Sequence, residues 1–223
     1  MFKVFVMILS LFLFHLQGQN YTLKESLQKA EVGDYIVYDT ARFYTMLYVK
    51  SFKNDLVTLE EVSVAVDCIN SMKTGSQPFD FVSWLKKGAY NASSWITYTF
   101  DLDKGKILHT FSCTKKTNQS PNTLLATLLN LSCTKAPSRK MTKKGALWNP
   151  PLPFNGSLLK KDTEEWKALW PNDGSLLAGS HLTLFTAEPP LLSLPYWIEL
   201  QKDQRRVLLR AFASGNLASQ NHK

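Results

Sequence analysis

Residues 93–113 read SSWITYTFDLDKGKILHTFSC, and that stretch confines its own structure. Ile96, Tyr98, Phe100 and Leu102 recur at every second position, with Trp95, Thr97, Thr99 and Asp101 between them. A period of two is that of a strand, whose side chains point alternately to opposite faces. DKGK at 103–106 supplies a turn in which Gly105 can take positive φ. On the return run, alternation groups Ile107, His109, Phe111 and Cys113 on one face. An apolar face backed by threonines predicts an antiparallel sheet with one face on a core and the other wet.

The rest of the chain extends that sheet. YIVYD after Gly33-Asp34, ARFYTMLYVKSF at 41–52 and LVTLEEVSVAV after the KND turn predict three strands in meander order. HLTLFTA at 181–187 and YWIELQ at 196–201 read as strands, and with RVLLRAFASG at 206–215 after the KDQR turn the C-terminus is expected to end in a second antiparallel pair. Helices are expected where the apolar period lengthens. In 19–31, Leu23 and Leu27 lie at i, i+4. In 76–88, Ser76 is the expected cap, Pro78 falls in the first turn and Gly88 is the stop. SPNTLLATLLNLSC is expected to start with Ser120 as cap and Pro121 at the first position. DTEEWKALWP at 162–171 also reads as a short helix, with Asp162 and Glu165 as a capping pair. Residues 134–161, rich in Pro, Gly and basic side chains, read as an irregular segment anchored by Trp148 and Phe154.

The N-terminus bears on compartment. Lys3 precedes the apolar run from Val4 to Leu16, which has the length of a secretory h-region and is too short for a spanning helix. A cleavable signal over 1–18 is expected, with the mature chain starting near Gln19 in the periplasm or outside the cell; the alternative is an uncleaved membrane anchor. Cys68, Cys113 and Cys133 are odd in number, so at least one thiol is free or bonded to a partner. A Cys113–Cys133 bridge and three free thiols are both open. The net charge of +8 is spread in short patches, which suits a solvated surface or contact with an anionic membrane. Nucleic acid is not expected, because the basic runs lack interleaved aromatics.

The histidines and carboxylates make no familiar catalytic pattern. His109 and His181 sit in expected strands without H-x-H or H-E-x-x-H neighbours, and Ser180 and His181 would point to opposite faces. There is no G-x-S-x-G, P-loop or G-x-G-x-x-G. Glu60 and Glu61 are adjacent on a strand and so face opposite ways. Asp101 and Asp103 border a turn. No cofactor or metal is expected.

Four stretches, VGDYIVYD at 32–39, SSWITYTFDLDKGKI at 93–107, WPNDGSLLAG at 170–179 and LPYWIEL at 194–200, resemble an uncharacterised exported protein family of chlamydia-type intracellular bacteria. That resemblance implies no activity. In element order alone the chain is also similar to the periplasmic lipoprotein-carrier fold, an incomplete barrel around an apolar cavity closed by helices. No residue of that family's site transfers to a position here.

The expected fold is a single α+β domain over 19–223. It would be a strongly bent antiparallel sheet, like an incomplete barrel, with two or three helices on its concave side. The expected function is non-enzymatic binding of a lipid or other apolar ligand inside the sheet, lined by Tyr98, Phe100, Phe111, Leu125, Leu128 and Trp197. The alternatives are a protein-interaction or structural envelope module docking through 134–161, and third a hydrolase.

Overall fold

The computed structural model describes residues 20–73, 78–136, 151–160, 162–188 and 192–218. The signal region, the Ser76 cap, Trp148 and most of the basic segment lie outside them. One antiparallel sheet of twelve strands runs through the chain in the order β1-β8-β11-β12-β13-β14-β2-β3-β4-β5-β6-β7. Its C-terminal half holds β11 (Asp162–Leu169), β12 (His181–Glu188), β13 (Trp197–Lys202) and β14 (Arg205–Asn216), edged by β8 (Cys133–Lys135) and β1 (Asn20–Tyr21). The other half is the expected meander of β2 (Asp34–Asp39), β3 (Phe43–Lys53) and β4 (Leu56–Ala65). It continues into the hairpin of β5 (Ser94–Asp101) and β6 (Lys106–Ser112), edged by β7 (Thr117–Asn118). The long β14 joins the halves, pairing with β13 over its first part and with β2 over its second. The end strands β1 and β7 do not pair with each other, so the sheet is not closed into a barrel. A separate hairpin is formed by β9 (Leu152–Phe154) and β10 (Ser157–Leu159).

Alternation along the strands gives the meander two apolar faces. One cluster takes Ile36, Tyr38, Val57, Leu59, Tyr98 and Phe100, together with Leu184 and Ile198 from the C-terminal half. The other takes Tyr35, Val37, Tyr44, Met46, Tyr48, Val62 and Val64. Helical residues enter both. Leu23 and Leu27 of α1 (Leu23–Leu27) and Leu129 of α4 (Thr123–Asn130) belong to the first cluster. Ile69 of α2 (Val66–Met72) and Phe81, Val82, Trp84 and Leu85 of α3 (Phe81–Lys86) belong to the second. Toward β6 the second face is wet: Ser51, His109 and Phe111 are exposed, and Thr97 and Thr99 are half-buried.

Several expectations need correction. Residues 162–169 are strand β11, not a helix, and pair with β12 from Asp162↔Glu188 to Leu169↔His181. Tertiary pairing overrides the helical preference of Glu, Lys, Ala and Leu. Trp166 settles the register by stacking on Tyr21 at 4.9 Å and donating from Nε1 to Thr186 Oγ1 at 3.0 Å. Asn122, not Ser120, caps α4, accepting from the Leu125 N–H at 3.0 Å. Asp80 caps α3, accepting from the Ser83 N–H at 2.9 Å. A bulge in β6 between Ile107 and His109 breaks the expected common face. Ile107 stays opposite Phe100 in the first cluster, whereas Phe111 pairs with Thr97 on the other face and is 39% exposed. All three cysteines are free, so the Cys113–Cys133 bridge does not form. Cys133 is buried in the first cluster, while Cys113 Sγ lies 3.4 Å from Thr97 Oγ1 on the opposite face. Burial pushes the Cys133 thiol up to about 11.

Candidate functional site

Two bulges aim side chains onto the second face. Lys50 sits where the β3–β4 register shifts between Val49 and Ser51, and Phe212 where β14–β2 shifts between Ala211 and Ala213. Bulges re-aim side chains in this way.

Lys50 reaches Glu60, the most buried carboxylate described, 1% exposed. Glu60 accepts from Lys50 Nζ and Tyr48 OH, from Trp95 Nε1 at 2.8 Å and from Thr97 Oγ1 at 3.2 Å. Burial alone would push this carboxyl up, but the bonds from Lys50, Tyr48 and Trp95 outweigh it and hold it below the ordinary value. Burial, with the Glu60 carboxylate beside it, raises the Tyr48 phenol. A carboxylate with four donors and a depressed pKa is a poor base, so the cluster serves as an internal tie across β3, β4 and β5. Glu61, one residue on, faces the first cluster and accepts from Tyr98 OH at 3.1 Å. Burial raises its pKa, the Tyr98 bond only partly opposing. Asn122 Nδ2 approaches the same phenol oxygen at 3.4 Å, linking the α4 cap to the sheet.

Phe212 reaches an open groove of about 760 Å³ between α3 and the β9–β10 hairpin. Its walls carry Phe79, Phe81, Phe212, Tyr35, Pro153 and Leu158. The aromatic side is a ring-edge assembly. Phe81 meets Phe79 at 5.0 Å, Tyr44 at 5.3 Å and Phe212 at 5.9 Å, with interplanar angles of 76°, 64° and 75°. On the hairpin side, Asn155 and Gly156 both have positive φ, 48° and 78°, the conformation of a tight two-residue turn. The Asn155 N–H donates to Ser214 O at 2.8 Å and Ser214 Oγ donates to Pro153 O, pinning the hairpin to β14. Leu158 is left 73% exposed and Phe212 37%.

The proposed lining residues divide. Tyr98 and Phe100 are 1% and 0% exposed and sit inside the first cluster, with Leu125, Leu128 and Trp197 half-buried against it. Phe111 is on the other face. None of the six lines the aromatic groove. His109 pairs with Thr99 and His181 with Gln201, and both are exposed. Among the described residues no three His, Cys, Asp or Glu stand together as metal ligands, and no helix is long and apolar enough to cross a membrane. The groove residues were missed by the sequence reading. Asn155-Gly156 between apolar flanks was a legible hairpin signal inside the segment read as irregular. The Phe212 bulge carried no local signal.

The family model for the CT021 protein matches residues 45–160. No curated protein matches the chain in sequence. Among solved structures, that of the hypothetical protein CT021 from Chlamydia trachomatis is similar with a TM-score of 0.67 at 16% identity, over 89% of this chain and 94% of that one. At that identity the likeness speaks to the fold. The carrier-fold likeness finds no counterpart in these comparisons.

Proposed function

We propose, from the premise that the chain belongs to the CT021 protein family, that this is an exported, non-enzymatic protein that binds a single-chain apolar ligand in the groove between α3 and the β9–β10 hairpin. One observation carries the reading. The groove has about 760 Å³, within the range of small-molecule sites, and among the described residues its Phe212 and Leu158 stand 37% and 73% exposed. The residues first expected to line a ligand, Tyr98 and Phe100, then act as filled support beneath the sheet. The carrier-like arrangement keeps one role in this reading: α1 and α4 cover the inner side of a bent sheet while the ligand is held outside it.

Two measurements test this. Organic extracts of the purified protein are examined by mass spectrometry for co-purified lipid. N-phenylnaphthylamine, a neutral apolar fluorophore, is titrated into the full chain and into Leu158→Asp. Saturable enhancement that Leu158→Asp removes supports the reading; equal enhancement with both chains, or none with either, defeats it.

A further inference from the structure

The charge lining the groove opposes the charge of the protein. The chain carries +8 overall, yet no Lys, Arg or His is among the groove's described lining residues, and its one charged member is Asp80. Asp80 uses Oδ1 and Oδ2 to accept from the Ser83 N–H at 2.9 Å and Ser83 Oγ at 2.6 Å. It stays an anion, because those bonds, helped by Lys86, outweigh its burial. The groove therefore offers a negative charge beside its rings and, among its described lining residues, no cation to receive a carboxylate or phosphate.

We propose that the occupant is an alkyl chain with an ammonium head, its tail against Phe79, Phe81 and Phe212 and its donors turned to Asp80. This rests on the groove reading above and names the ligand class for it. The π faces of the same rings favour a cation further. Non-specific attraction to a protein of +8 would favour the opposite order, so the preference is diagnostic.

The test holds the tail constant and changes the head. Decylamine, decanol and decanoate compete with N-phenylnaphthylamine on the full chain at neutral pH and low salt. Decylamine is expected to bind about threefold tighter than decanol, the scale of one exposed ion pair, and decanoate weakest. Asp80→Asn keeps a side chain that caps helices well, and is expected to remove the advantage of decylamine over decanol while leaving decanol unchanged. Decanol or decanoate binding as tightly as decylamine, or a preference that survives Asp80→Asn, overturns the head-group assignment and leaves the groove standing. Failure of all three to compete overturns the groove itself.

Discussion

Glu60 and Glu61 are neighbours on one strand and face opposite ways, and their surroundings differ as the two faces differ. Glu60 is met by four donors on the second face, where β3 bulges to deliver Lys50. Glu61 enters the first cluster and is met by one phenol, that of Tyr98. The first face is lined by a cluster of buried apolar side chains from both halves of the sheet. The second is part helix-covered, part polar and part open groove. Alternation of residue type says which side chains share a face; it does not say which face is finished. On that contrast the first face is read as scaffold and the second as the place of the proposed groove.

The sharpest way to break the contrast is to hollow the filled face. Phe100→Ala is expected to cost about 3–5 kcal/mol in denaturant unfolding, with N-phenylnaphthylamine affinity per folded molecule unchanged. A gain of binding there would move the site to the first face. Glu60→Ala is expected to cost about 3 kcal/mol, because Tyr48 OH and Trp95 Nε1 lose a buried acceptor. A loss under about 1 kcal/mol would show that the tie is ornamental to the fold. Gly105→Ala follows at about 2 kcal/mol: the residue has φ of +63°, and an added Cβ would lie 2.2 Å from Asn130 Oδ1. That loss would couple the hairpin turn to α4, since Asn130 Nδ2 donates to Gly105 O at 2.7 Å.

The smallest effect sharpens the contrast by sign. The folded pKa of Glu61 is raised, so the folded chain binds the extra proton, and stability from this group is lost as pH rises through that value. The folded pKa of Glu60 is lowered, so its contribution is present above the unfolded value and lost as pH falls through the folded one. Glu61→Gln is thus expected to raise stability at neutral pH by on the order of 0.5 kcal/mol, a gain that fades on acidification. Equal effects at both pH values would remove the distinction between the two carboxyls.

Much of the scaffold was legible in the sequence. The β2–β4 meander and the β5–β6 hairpin follow from period-two patterning, and Gly105 from its turn. What failed depended on partners distant in sequence. β11 is composed like a helix and is a strand because β12 lies along its whole length. The β6 bulge turned Phe111 to the other face, and bulges are decided by the opposing strand rather than by local residues. The groove needs Phe79, Leu158 and Phe212 together, and only the pairing of β14 with β2 and the hairpin bonds to β14 join them.

Where an apolar ligand sits is the measurement on which the rest turns. Decylamine carrying a terminal diazirine is photolysed on the full chain, and the labelled peptides are mapped by mass spectrometry. Labels confined to the peptides holding Phe79–Phe81, Leu158 and Phe212, and displaced by excess decylamine, are expected. Displaceable labels on the peptides holding Tyr98, Phe100 and Leu125 instead would put the ligand inside the filled face and contradict the division drawn between the two.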